Sequence, residues 1–147
     1  MRTTLQLCML FFIPIMLFFS CERNAESVRS RENFGASWKF HLGDIQDAEQ
    51  LDFDDSDWRD LDVPHDWSIE GEFSKEHPAT PGGGALPGGI GWYRKTFKLP
   101  ESENDKLSFI DFDGVYMNSD VWINGHFLGH RPYGYSSFRY DLTPYLN

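Results

Sequence analysis

Val121-Trp122-Ile123-Asn124-Gly125-His126-Phe127-Leu128 is a short apolar run, a two-residue break and a second short run. Asn-Gly is a strong hairpin signal, because a type I′ turn needs positive φ at both central positions and these residues tolerate it. The stretch predicts two antiparallel strands joined by a tight turn. Neighbouring segments repeat the strand period. Ser37-Trp38-Lys39-Phe40-His41-Leu42 alternates polar and apolar residues, and Tyr93, Phe97 and Leu99 share one face of a further predicted strand, interrupted by Lys95. Leu107-Ser108-Phe109-Ile110-Asp111-Phe112 is apolar on both faces, as expected of a strand inside a sandwich. No run of ten or more residues keeps a helical period. Leu142-Thr143-Pro144-Tyr145-Leu146 predicts one helical turn with its Pro in the first turn. Short strands spaced by turns predict an all-β chain, an antiparallel β-sandwich.

The chain has 147 residues, with 13 basic and 23 acidic side chains and a net charge of −10. That balance argues against nucleic acid and against an anionic membrane surface as partners. Its 16% aromatic content argues against disorder.

The first residues read as an export signal. Arg2 supplies a positive charge, and Leu5 to Phe19 is almost wholly apolar, broken by Pro14. The stretch is too short and wrongly flanked for a membrane span. Phe18-Phe19-Ser20-Cys21 then sets a small residue directly before a Cys, which resembles a bacterial lipoprotein signal. Residues 1–20 are expected to be the signal, with Cys21 as the lipidation site and a lipid anchor holding the chain to the cell envelope. Residues 21–33 are polar and aperiodic, as in a flexible tether. Cys8 falls within the signal, so no Cys is left in residues 34–147 for a disulfide framework or a Cys-type metal site.

Two stretches carry a family resemblance. Gly91-Trp92-Tyr93-Arg94-Lys95-Thr96-Phe97 resembles the Gly-x-Gly-Trp-Tyr-Arg strand opening of the N-terminal sugar-binding domain of glycoside hydrolase family 2, and Phe112 to Gly125 resembles that domain's F-x-G-V…V-W-x-N-G strand pair. The family contains β-galactosidases, β-glucuronidases and β-mannosidases. The resemblance implies a jelly roll of the galactose-binding type over residues 34–147. It also implies that the two catalytic carboxylates lie on a later barrel domain, and that strands following Asp141 to Asn147 complete the sheets. The expectation is thus a domain incomplete at its C-terminal end.

Several motifs invite a chemical reading. Asp52-Phe53-Asp54-Asp55-Ser56-Asp57-Trp58 is dense in oxygen ligands, yet a calcium loop wants Gly sixth and Glu twelfth, where Asp57 and Val63 stand. A solvated turn with Phe53 and Trp58 packing inward is expected instead. Val63-Pro64-His65-Asp66-Trp67 sets a His beside an Asp, but adjacent residues on an extended chain face opposite ways. A structural corner is expected, with Trp67 packed. The Gly/Pro-rich loop His77 to Gly91 lacks Lys-Ser/Thr and runs into a strand, so it is no phosphate cradle. It either lines a functional edge or merely connects.

Gly129 to Phe138 matches the family segment that supplies an Asp to the sugar pocket in the best-known β-galactosidase type. Counting back from Asp141, the matching residue here is Tyr133, so that role does not carry over. Arg131, with fixed donors, and Tyr133, with a stacking face and a hydroxyl, are the candidate substrate-binding residues. The plainer alternative is a loop whose tyrosines cover the end of the sheet. Glycoside hydrolysis needs two tuned carboxyl groups roughly 5 to 10 Å apart, and no pair in this chain is nominated. No catalytic residue, metal or cofactor is expected within it. The resemblance implies the N-terminal part of a β-galactosidase-type hydrolase acting on a β-linked glycoside, the alternative being a self-standing carbohydrate-binding module on the envelope.

Overall fold

A computed structural model describes residues 29–77, 82, 84–103 and 105–146. Residues 34–147 form one compact unit. Its strands are β1 (Trp38–Leu42), β2 (Arg59–Leu61), β3 (Gly91–Arg94), β4 (Phe109–Phe112), β5 (Ser119–Ile123), β6 (His126–Arg131) and β7 (Phe138–Asp141). All pairings are antiparallel. They make a three-stranded sheet in the order β2-β1-β3 and two two-stranded ribbons, β4-β7 and β5-β6.

The β5-β6 hairpin turns at Asn124 and Gly125, with φ of 49° and 79°, the positive pair that a type I′ turn requires. Ile123 faces His126 and Trp122 faces Phe127, after which the register shifts and Val121 pairs with Gly129. The extra residue is Leu128, which makes a bulge that the alternation did not announce.

Cross-strand pairs hold the β4-β7 ribbon. Phe112 stacks on Phe138 at 4.9 Å between ring centroids. Asp111 accepts two bonds from the Arg139 guanidinium, at 2.6 and 2.9 Å. In the three-stranded sheet, Phe40 lies 4.9 Å from the Tyr93 ring opposite it. Trp92 of β3 stacks on Trp122 of β5 at 5.4 Å and 28°, joining that sheet to the hairpin. Such sheet-to-sheet aromatic contact is what a sandwich core is built from.

Two predicted strands come out shorter than the periodicity suggested. The β3 strand ends at Arg94, so Phe97 lies outside it, its ring 5.0 Å from Phe34. The β4 strand spans Phe109–Phe112, with Leu107 72% and Phe109 46% exposed, so the apolar run is not covered on both faces. The described hydrophobic core consists of Phe40, Ala48, Trp58, Ile123, Phe138 and Leu142. The C-terminal turn forms as a 3-10 helix, Thr143–Tyr145, with Pro144 in its first turn. A second, Trp67–Glu70, was not foreseen.

Candidate functional site

The acidic segment folds as a turn. Asp54 Oδ1 accepts from Ser56 N at 3.0 Å, and hydrogen bonding from the Ser56 side chain, then from its backbone N–H, holds the Asp54 carboxyl below the usual range. Trp58 is buried, with Phe53 at 5.6 Å and His41 at 5.5 Å. Arg94 fastens the segment from the sheet. Its Nε donates to Asp55 Oδ2 at 3.0 Å, its Nη1 donates to Ala48 O and Gln50 O, and its guanidinium lies 5.4 Å from the Phe53 ring.

His65 and Asp66 separate, although neither lies in a strand. Asp66 caps the Trp67–Glu70 turn, accepting from Ser68 N at 3.0 Å and Ser68 Oγ at 2.6 Å. His65 turns the other way, its Nδ1 2.8 Å from Tyr93 Oη and its Nε2 3.0 Å from both Glu70 Oε1 and Arg59 Nη2. Arg59 also donates to both Glu70 oxygens. Burial, with help from Asp66 and Glu70, pushes the Tyr93 hydroxyl up to about 12, while bonds from His65 and Arg59 hold Glu70 below its ordinary value. Trp67 packs by the chain at Gly91, where a Cβ would stand 2.9 Å from its Nε1. The grouping of Arg59, His65, Glu70 and Tyr93 was invisible in sequence because its members come from four segments.

At the opposite end of the chain, the β4-β5 loop (residues 113–118) meets the β6-β7 loop (residues 132–137). Asn118 N donates to Pro132 O at 3.4 Å. A Cβ on Gly134 would stand 2.9 Å from Tyr116 Cα, so only glycine lets the loops approach this closely. Tyr116 meets Tyr135 at 5.5 Å and 72°, and Tyr135 meets Tyr133 at 5.7 Å and 58°. All three rings are open to solvent, Tyr133 at 63%, Tyr116 at 70% and Tyr135 at 75%. The Arg131 guanidinium lies 5.2 Å from the Phe138 ring and 5.6 Å from that of Tyr140. Of the two candidate binding residues, Arg131 sits on the ribbon and Tyr133 stands in the exposed aromatic group. Tyr116 and Tyr135 are the residues sequence reading missed, since only the meeting of two loops puts them beside Tyr133. Residues 78–81 and 83 of the Gly/Pro loop, and Cys21, lie outside the described residues.

An antiparallel all-β unit with an aromatic loop surface defines the class. The profile of the glycosyl hydrolases family 2 sugar binding domain matches residues 32–147, and the chain belongs to that family. Over 120 residues it is 63% identical to β-galactosidase BoGH2A of Bacteroides ovatus, covering 82% of this chain and 14% of that protein. A putative β-glucuronidase of Formosa agariphila is 53% identical over 121 residues, covering 82% of this chain and 12% of its own length. Among solved structures, a β-glycosidase from Bacteroides vulgatus superposes with a TM-score of 0.76 at 56% identity, over 78% of this chain and 15% of that one. The chain thus spans about one seventh of the relatives it matches.

Proposed function

We propose that this chain serves as the N-terminal sugar-binding domain of a larger β-galactosidase-type glycoside hydrolase, packing on a catalytic barrel and shaping one wall of its sugar pocket. The observation that carries the reading is the 63% identity to a β-galactosidase of which the chain covers 14%. In such an enzyme, two carboxyl groups of the barrel would cleave the O-glycosyl bond with retention, through a covalent glycosyl-enzyme intermediate. This domain's part is to bind and orient. The Arg131 guanidinium offers fixed donors to sugar hydroxyls, and Tyr133 offers a ring face and a hydroxyl.

The test has two arms. The 147-residue chain by itself should leave nitrophenyl β-galactoside intact, whereas a protein encoded by a reading frame continuing past the Asn147 codon into a barrel should cleave it. A stop codon directly after Asn147, or turnover by the 147 residues alone that a single Asp or Glu substitution abolishes, would overturn the reading.

Export and lipid anchoring belong to the same proposal, and Ser20-Cys21 after an apolar run supports them. Labelled palmitate should mark the chain in a bacterial host, and Cys21→Ser should move it to the soluble fraction. Equal membrane association of the substituted chain would refute anchoring.

A further inference from the structure

We propose that Tyr116 and Tyr135 form an oxidative cross-linking site. There a haem peroxidase with hydrogen peroxide joins the two rings through carbons ortho to their hydroxyls, and so staples the β4-β5 loop to the β6-β7 loop. The site owes nothing to the proposed glycoside chemistry, and its co-reactant is an oxidant. The chain has six tyrosines. Among the described residues, two pairs of them are in ring contact, Tyr116 with Tyr135 at 5.5 Å between centroids and Tyr133 with Tyr135 at 5.7 Å. These three stand 63% to 75% exposed, so an oxidant at the surface reaches them. The others are withdrawn. Tyr93 Oη bonds His65 Nδ1 under partial cover, Tyr140 Oη is buried, and the Tyr145 ring packs against His126 at 5.0 Å.

The backbone keeps the pair together. Asn118 N donates to Pro132 O, and a Cβ on Gly134 would stand 2.9 Å from Tyr116 Cα. Gly134 directly precedes Tyr135, so this close passage sets the Tyr116 and Tyr135 backbones side by side. Each ring therefore meets its partner at a high effective concentration. Exposed side chains hop between rotamers on a scale of about picoseconds to nanoseconds, so the 72° inclination of the rings gives way to the edge-to-edge approach that coupling needs. The step balances. Each phenol gives up one electron and its hydroxyl proton, and hydrogen peroxide takes both sets and leaves as two waters. The two phenoxyl radicals then form one carbon–carbon bond, and the ortho hydrogens pass to the oxygens to restore both phenols. A Tyr116–Tyr135 bond encloses the whole β5-β6 hairpin in a covalent ring, whereas a Tyr133–Tyr135 bond would enclose one residue. As with a disulfide, the longer ring restricts the unfolded chain more and stabilises the fold more.

Treating the dilute full-length protein with a haem peroxidase and hydrogen peroxide, then mapping its peptides by mass spectrometry, tests this. The expected product is a linked peptide pair holding Tyr116 and Tyr135, lighter than the separate peptides by two hydrogens, within a chain that stays monomeric. The treated protein should melt at a higher temperature than the untreated one. Tyr116→Phe and Tyr135→Phe each keep the ring and remove the phenol, so each should abolish that linked pair and the rise in melting temperature. Tyr133→Phe should retain both. Linked peptides that join two chains, or a Tyr133–Tyr135 bond as the main product, would overturn the proposal. So would survival of the Tyr116–Tyr135 peptide mass in either phenylalanine variant, or no linked peptide under a dose that couples free N-acetyltyrosine. A Tyr116–Tyr135 bond that leaves the melting temperature unchanged overturns the staple.

Discussion

Tyr93 links the β3 strand to the corner at Pro64 through one hydrogen bond, 2.8 Å from His65 Nδ1. Burial and two nearby carboxylates raise its hydroxyl to about 12, from an ordinary value of 10.0. A folded-state value above the unfolded one means that folding favours the neutral phenol. The contribution is fully present below pH 10 and is lost as pH rises through 12. Replacing Tyr93 with Phe should therefore flatten the fall in stability between those limits, as read from denaturant midpoints at pH 8 to 12. At pH 8 the same substitution should cost about 1 kcal/mol, because His65 Nδ1 is left without its partner. A variant whose alkaline decline parallels that of the wild type would show that other groups drive it. Glu70 carries the opposite sign. Its value is lowered, so its contribution is present above the ordinary glutamate range and fades as pH falls through its folded value.

At the scale of elements, the hairpin and the acidic turn make a contrast. The hairpin is specified by two adjacent residues. Gly125 has φ +79°, and alanine there should cost about 1 kcal/mol through backbone strain alone, whatever the space around it. A melting-temperature change within error of zero would mean the turn relaxes to another type. The acidic turn depends on a distant strand, since Arg94 joins Asp55, Ala48 and Gln50. Arg94→Lys keeps the charge but loses the planar fork. It should cost about 2 kcal/mol by denaturant titration, and should open residues 44–57 to protease before the rest of the chain. Uniform cleavage kinetics would separate Arg94 from that segment. The same contrast governs how much could be read from sequence. The Asn124-Gly125 turn, the Pro144 turn and the β1 strand were legible because their causes are local. The end of β3 at Arg94, the bulge at Leu128 and the meeting of Tyr116 with Tyr135 were not, because each depends on which strand or loop lies alongside. Arg131 and Tyr133 were singled out by their place in a family segment, yet only the folded loops show one lying on the sheet and the other among exposed rings.

For the molecule as a whole, the balance between covered and uncovered apolar surface decides behaviour. Six residues make up the buried hydrophobic core among the described residues, while thirteen large apolar or aromatic side chains stand exposed, Leu107, Ile69, Phe73 and Phe127 among them. Fully burying one such side chain contributes about 1.5–3 kcal/mol, against a net stability for a domain of about 5–15 kcal/mol. Four of them left wet forgo an amount comparable with the whole. Each strand of the β4-β7 and β5-β6 ribbons has a single partner strand among the described residues, which leaves an outer edge open to further pairing. Residues 34–147 produced alone should therefore bind a hydrophobic dye, elute as aggregates at micromolar concentration and melt without a sharp transition. If the proposed barrel packs on this surface, the same residues within the longer protein should show none of these properties. A monomeric 34–147 species with a cooperative melt and no dye binding would show that these strands close over their own core.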